Sequence, residues 1–123
     1  MSVGPASGDV VMGLIAEGEA NLIADATFAL STPSRVQILG CLLDGPRAVG
    51  EITALLGMEQ SAVSHQLRVL REAALVKSER HGKRRVYALS GDAVRELLAA
   101  ARHLAAQQPV GSRRERAAGA AGG

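Results

Sequence analysis

The clearest hydrophobic pattern in the chain lies between residues 60 and 74. An apolar residue recurs there every three or four positions, which predicts one buried stripe along a helix. The stripe consists of Val63, Leu67, Leu70 and Ala74. The opposite side of the helix is polar and carries Gln60, Ser61, Ser64, His65, Arg68 and Arg71. Such groups can bond to base edges in a DNA groove, but on this pattern alone a face that only meets solvent is an equal alternative.

Hydrophobic spacing predicts three further helices before this one. The first lies within residues 14–30 and starts between residues 12 and 18. The second runs from about Pro33 to Leu43, with Thr32 as its N-cap. The third spans about Val49 to Leu56, and Gly57 follows as a C-terminal stop. We expect the second helix to bury Val36, Leu39, Leu42 and Leu43.

The period of the pattern changes after the fourth helix. Short runs predict two strands, at 75–80 and 85–89, that flank a loop at 81–84 containing Gly82. The third and fourth helices, joined tightly through Gly57, are typical of a helix-turn-helix, and the hairpin beside them is typical of a wing. Ser90 is expected to cap a fifth helix that ends near Ala106. Its apolar stripe needs a partner and comprises Val94, Leu97, Leu98, Ala101 and Leu104.

These elements predict a mostly α fold with a small β-hairpin wing, that is, a winged helix-turn-helix of five helices and two strands. With 123 residues the chain has the size of one domain. We place this domain at residues 13–106, between a disordered N-terminal arm at 1–12 and a disordered C-terminal tail at 107–123.

Charge is distributed unevenly along the chain, although the net charge is only +2. Residues 60–85 contain seven Lys or Arg and two Glu, whereas residues 1–32 contain four acidic residues and no Lys or Arg. The wing and its shoulders carry Arg80, His81, Lys83, Arg84 and Arg85. A basic segment beside a polar helix is typical of nucleic-acid binding, and the alternative for the hairpin alone is an edge protected by positive charge.

Other function classes are disfavoured by what the sequence lacks. The single cysteine, Cys41, excludes an internal disulfide and fits a reducing cytosol, and we interpret it as a small buried hydrophobic residue rather than a sensor thiol. No apolar run is long enough to span a bilayer and no basic-then-apolar leader opens the chain, so we expect a cytoplasmic protein that does not contact membranes. No pairing of a nucleophile with a base indicates an enzyme.

The stretch from Thr32 to Leu89 resembles the ArsR/SmtB family of winged-helix regulators. The resemblance rests on Thr32-Pro33-Ser34-Arg35, Leu55-Leu56-Gly57, Gln60-Ser61-Ala62-Val63-Ser64-His65-Gln66-Leu67 and Gly82-Lys83-Arg84-Arg85-Val86-Tyr87. The fourth helix is most similar to that of the nickel/cobalt-sensing branch. The resemblance implies a homodimer formed through helices one and five, double-stranded operator DNA as partner, and commonly repression that a metal releases.

The metal ligands that the family uses are absent in direct alignment. One family site needs cysteines on the third helix, where this chain has none, and persulfide and arsenic sensing are disfavoured because they need at least two cysteines. The other site lies on helix five, and an ungapped alignment places Gly91, Ala93, Leu104 and Gln107 at its ligand positions.

A shift of one residue recovers part of the helix-five site. It puts Asp92, Glu96 and His103 on one polar stripe with Gln107, because eleven residues turn a helix to within about 20° of the same face. In an antiparallel crossing of two subunits, these side chains make an oxygen-rich site that suits nickel or zinc. The alternative is an acid at the helix dipole and a hydrogen bond in the dimer interface.

We therefore predict a sequence-specific, dimeric DNA-binding transcription regulator of the repressor type, with a metal such as nickel as one candidate effector. We predict that Gln60, Ser61, Ser64 and His65 read bases and that Arg68 binds a phosphate. The wing cations are expected to lie along the phosphate backbone or to reach into the minor groove. Two alternatives stay open: a regulator without metal sensing that a partner protein controls, and a protein-interaction module on a winged-helix scaffold. The basic wing favours DNA, because an interaction module does not need that charge.

Overall fold

The computed structural model describes residues 13–109, which fold into five α-helices and two antiparallel β-strands. The elements are α1 (Glu17–Phe28), α2 (Pro33–Cys41), α3 (Val49–Leu56), α4 (Gln60–Glu72), β1 (Val76–His81), β2 (Arg84–Leu89) and α5 (Asp92–Ala106). This winged helix-turn-helix confirms the predicted fold class. The predicted N-terminal arm and residues 110–123 of the predicted tail lie outside the described residues. Within residues 13–109, no helix is both long and apolar enough to cross a membrane.

The core lies between α2, α3 and α4 and is completed by residues of the two strands and α5. The largest fully buried side chains in the described part of the chain are Ile38, Leu39, Leu42, Ile52, Val63, Leu67 and Leu70. Burying one such side chain stabilises the fold by about 1.5–3 kcal/mol, so the three from α4 hold that helix firmly. Helix α5 adds Val94 and Leu98, whereas α1 buries none of its side chains in the single chain.

The inward face of α2 differs from the prediction at one position. Val36 is 39% exposed, whereas its neighbour Arg35 is only 8% exposed. Arg35 shares its side of the helix with the buried Ile38, Leu39 and Leu42, because residues three and four apart lie on one face. Val36 is rotated by about 100° from Arg35 and therefore points outward.

Helix α4 ends two residues earlier than predicted, because Ala74 adopts a left-handed conformation with a φ of 63°. The Ala74 amide donates to the carbonyl of Arg71 at 3.0 Å, and the Leu75 amide donates to the carbonyl of Leu70 at 2.9 Å. This pair of bonds is the Schellman motif, in which glycine usually occupies the left-handed position. Ala74 is therefore exposed and does not belong to the buried stripe.

Ser90 does not cap α5, contrary to the prediction. The N-cap of α5 is Gly91, and no side chain bonds to the amides at this end. The Ser90 hydroxyl donates instead to the carbonyl of Ala74 at 2.7 Å, and the Ser90 amide donates to the carbonyl of Leu75 at 3.0 Å. Ser90 thus ties the end of β2 to the turn after α4.

The wing is a hairpin with a shorter loop than predicted. His81 and Arg84 pair across the strands, so only Gly82 and Lys83 remain in the turn. Gly82 has a φ of 66°, which the first position of a two-residue hairpin turn requires and glycine adopts without strain. The predicted four-residue loop is therefore wrong, because both of its outer residues belong to strands.

Two arginines hold the C-terminal end of α2. Nε of Arg47 donates to the carbonyl of Cys41 at 2.7 Å, and Nη1 of Arg95 donates to the carbonyl of Leu43 at 2.5 Å. Cations are favourable at this end of a helix, where carbonyls lack partners. Arg47 also exchanges backbone hydrogen bonds of 2.9 and 2.8 Å with Tyr87, which attaches β2 to the segment before α3.

Cys41 is half-buried, and burial raises the pKa of its thiol, as expected for a packing residue rather than a reactive one.

Candidate nucleic-acid interface

The outer face of α4 carries five of the residues that the sequence assigns to DNA. All five are exposed: Gln60, Ser61, Ser64, His65 and Arg68. Ser61, Ser64 and His65 form one patch, because positions three and four apart share a helix surface. Within residues 13–109, no other side chain bonds to this patch. The structure therefore brings these polar groups together on one surface and leaves them available.

Arg68 lies one turn beyond this patch and pairs with Glu72. Its Nε atom is 3.8 Å from a carboxylate oxygen of Glu72, and the two side chains are 69% and 72% exposed. An ion pair between two such exposed groups contributes only about 0–1 kcal/mol. Arg68 can therefore exchange Glu72 for a phosphate at little cost.

The turn between α3 and α4 determines how this face is presented. Gly57 has a φ of 65°, and its amide donates to the carbonyl of Thr53 at 2.8 Å, so α3 ends at the predicted stop. Ile52, which is fully buried, fixes α3 against the core. At the start of α4, Glu59 is the N-cap but no side chain bonds to the first amides. These amides stay available beside Gln60 for an anion.

Like charges face each other across the wing. Arg80 stands opposite Arg85, and His81 stands opposite Arg84. Like-charged pairs at directly opposite positions destabilise a hairpin. The Arg80–Arg85 pair therefore concentrates positive charge on one face of the wing.

Two of the wing arginines have partners within the chain. Nη2 of Arg84 lies 2.7 Å from Oε1 of Glu51 in α3, and the guanidinium of Arg85 donates to the hydroxyl of Ser78. The backbone amide of Ala48, followed by the guanidinium of Arg84, lowers the pKa of Glu51, so this carboxylate is ionised at neutral pH. Arg84 is thus partly neutralised by α3.

The remaining wing cations divide into paired and unpaired groups. Glu79 lies between Lys77 and His81, with N···O distances of 3.1 and 3.0 Å. Lys77 first, and His81 second, lower the pKa of Glu79. In the described part of the chain, Arg80 and Lys83 form no ion pair. They are the wing cations whose charge is least compensated.

The two carboxylates that organise the wing, Glu51 and Glu79, were not predicted from the sequence. The signal for Glu79 is present, because Lys77, Glu79 and His81 alternate along one face of a strand and must be neighbours. Glu51 precedes Arg84 by 33 residues, and no local pattern connects the two.

The predicted metal ligands are all exposed on α5, and they are Asp92, Glu96 and His103. Asp92 and His103 are eleven residues apart, which separates them by about 16 Å along the helix axis. Nε2 of His103 lies 3.1 Å from Nε2 of Gln107. Within residues 13–109, no three His, Cys, Asp or Glu side chains are close enough to hold a metal ion. The three residues therefore do not fit a metal within one chain.

An apolar surface lies away from the polar faces. Leu22 and Phe28 of α1 are each 71% exposed, and Leu104 of α5 is 62% exposed. An open groove of about 490 Å³ runs between α1 and the end of α4, where Leu22, Phe28 and Val69 line it. Exposed large apolar side chains of this kind are candidates for contact with another protein.

Residues 32–78 match the sequence profile of the bacterial regulatory protein, arsR family. The HTH-type transcriptional regulator NmtR of Mycobacterium tuberculosis is 50% identical over 76 residues, which cover 62% of this chain and 63% of NmtR. The solution structure of apo-NmtR is 40% identical, with a TM-score of 0.65 over 85% of this chain and 92% of that chain. The homodimeric winged helix-turn-helix DNA-binding domain Mb0332 from Mycobacterium bovis is 31% identical, with a TM-score of 0.68 over 79% of this chain and 92% of that chain.

The fold and its matches define a winged helix-turn-helix domain of the kind found in transcription regulators. The chain belongs to the arsR family of bacterial regulatory proteins, which confirms the resemblance seen in the sequence. Because the family consists of regulators and not enzymes, the predicted absence of catalysis is also confirmed. The match to the NmtR sequence spans less than two thirds of that protein.

Proposed function

We propose that this chain is a sequence-specific, dimeric DNA-binding regulator that represses transcription from an operator in the cytoplasm. The observation that carries the proposal is the outer face of α4, where hydroxyl, amide and imidazole groups are exposed and free of partners among residues 13–109. Hydrogen-bonding groups of this kind can recognise base edges, and the basic wing beside them favours DNA over a face that only meets solvent. The buried side of α4 supports this face rigidly.

The DNA contacts divide by chemistry. Gln60, Ser61, Ser64 and His65 read base edges in the major groove, and Arg68 binds a phosphate. On the wing, Arg80 and Lys83 bind the backbone directly, while His81, Arg84 and Arg85 add positive potential.

Selection of sites from a random duplex library tests this function. We expect an enriched motif with two half-sites about one helical turn apart, because a symmetric dimer presents two reading helices. At one fixed salt concentration, this operator should bind at least about 10³-fold more tightly than a scrambled duplex. A library that shows no enrichment would contradict the proposal and favour the protein-interaction module.

The dimer forms through α1 and α5. A helix of 12 residues is marginal in water by itself, and α1 buries no side chain within its own chain. A second copy of this chain covers Leu22, Phe28 and Leu104 and fills the groove beside α1. Sedimentation at micromolar concentration should show a dimer that Leu22→Glu dissociates and Gln37→Glu, on the exposed side of α2, leaves intact. A monomeric wild type would contradict this interface.

A metal effector requires both subunits, because Asp92 and Glu96 of one chain meet His103 only on another. We expect nickel or zinc to bind the dimer between the α5 helices with moderate affinity, since one His and two carboxylates make a weak set of donors. Calorimetric titration should detect this binding in the wild type and not in His103→Gln, with the dimer intact in both. If the wild type binds neither metal, a partner protein remains the candidate effector.

A further inference from the structure

Arg35 is the one buried charged residue among residues 13–109, with 8% of its surface exposed. Its partners are both neutral: Nε donates to the carbonyl of Ala29 at 2.6 Å, and Nη1 donates to Oε1 of Gln66 at 3.0 Å. Burying a cation without a carboxylate is unfavourable, and apolar residues of similar volume often give a more stable core. The position of Arg35 therefore calls for an explanation other than stability.

The two acceptors of Arg35 belong to the two helices that matter most for the proposed function. Ala29 is the C-cap of α1, the helix of the proposed dimer interface, and is 2% exposed. Gln66 lies within α4, and its side chain is only half-buried. Because a guanidinium is planar and its donors have fixed directions, bonding to both acceptors restricts the orientation of α4 relative to the end of α1.

We propose that Arg35 is a positioning residue that couples the spacing of the two reading helices to the dimer interface. This inference rests on the proposed function. In a dimer, α1 contacts the partner subunit and α4 contacts a DNA half-site. Any change in the orientation of α4 relative to α1 therefore changes the distance between the two α4 helices. Arg35 restricts this orientation and thereby restricts the half-site spacing that the dimer accepts.

Gln66 offers a better test than Arg35, because replacing Arg35 leaves the buried carbonyl of Ala29 unpaired and endangers the fold. Gln66→Met removes the acceptor and keeps a similar volume at a half-buried position. Gln66→Glu restores an acceptor and serves as the rescue variant. Gln37→Met is the matched control, because it makes the same change at an exposed position of α2.

Each full-length variant is measured on three duplexes: the selected operator, the operator with one base pair inserted between its half-sites, and a scrambled sequence. We expect Gln66→Met to lose about tenfold of the discrimination between the first two duplexes, the factor that corresponds to one hydrogen bond to a charged group. Affinity for the scrambled duplex and its salt dependence should stay unchanged. Gln66→Glu and Gln37→Met should discriminate as the wild type does.

The outcomes separate this inference from the proposed function. If the wild type does not prefer the operator to the scrambled duplex, the proposed function is wrong. If the wild type discriminates spacing and Gln66→Met does so equally, only the role of Arg35 is wrong. A lower melting temperature of Gln66→Met with unchanged spacing discrimination assigns the link to stability alone and also overturns the inference.

Discussion

One carboxylate oxygen of Glu51 joins the first turn of α3 to Arg84 in the wing. Oε1 of Glu51 accepts from the Ala48 amide at 2.8 Å and from Nη2 of Arg84 at 2.7 Å. The first bond caps α3, and the second crosses 33 residues of sequence to reach β2. Glu51 therefore holds the wing against the helix-turn-helix and offsets the charge of a cation that the sequence assigns to DNA.

The wing cations should contribute unequally to DNA affinity. We expect Lys83→Gln to reduce the slope of log K against log salt by about 0.9, because one phosphate contact is lost. Arg84→Gln should change the slope by less than half as much, since Glu51 already compensates its charge. Fluorescence anisotropy on a scrambled duplex over a salt series measures both slopes. Equal losses for the two variants would show that Arg84 leaves Glu51 when DNA binds.

Removing the charge of Glu51 should strengthen sequence-independent binding. Glu51→Gln keeps an oxygen that can accept from the Ala48 amide, but it removes the negative charge that pairs with Arg84, so the guanidinium can exchange this weaker neutral acceptor for a phosphate. We expect the salt slope to steepen by up to about 0.9 and affinity for scrambled DNA to rise. The double variant with Arg84→Gln is the control and should lose this gain. Weaker binding by Glu51→Gln alone would mean that Glu51 acts by placing the wing.

Acid should weaken the wing through Glu79. Lys77 and then His81 lower its folded-state pKa, so its contribution to stability is present above the unfolded pKa of about 4.3 and is lost as the pH falls through the folded pKa. Glu79→Gln should therefore have a lower urea midpoint than the wild type at pH 7. The difference should disappear once the pH lies below the folded-state pKa, where the wild-type carboxyl is protonated. A difference that persists in acid would assign the effect to packing.

Local sequence information predicts the helices well, because their hydrophobic periods and stop signals are local. Gly57 ends α3 and Pro33 begins α2 as predicted. The side-chain hydrogen bonds between elements are not predicted by such local patterns. Arg35 has the sequence signature of a surface residue, and its bonds to Ala29 and Gln66 depend on how α1, α2 and α4 pack. Sequence reasoning therefore locates the exposed polar residues of α4 but not the buried side-chain bonds between the helices.

The same limit explains Ala74, which continues the apolar period of α4 and yet lies outside the helix. Its φ of 63° is unfavourable for a residue with a Cβ atom. We expect Ala74→Gly to stabilise the fold by about 1 kcal/mol, because glycine adopts this conformation without strain. The matched control is Ala54→Gly in the exposed interior of α3, which should destabilise by about 1 kcal/mol. Urea denaturation measures both changes, and a destabilised Ala74→Gly variant would contradict the assigned strain.

The last prediction concerns which residues of α4 contact bases and which contact phosphates. Ser64→Ala and His65→Ala should each cost about 1–3 kcal/mol on the operator and little on a scrambled duplex, because base contacts are lost. Arg68→Ala should weaken both duplexes by similar factors, because a phosphate is present in any sequence. All three residues are exposed, so the substitutions leave the core intact, and urea denaturation of each variant verifies this. Affinities are compared at one fixed salt concentration. If Ser64→Ala and His65→Ala lower both affinities equally, α4 contacts only the DNA backbone, and other residues recognise the bases.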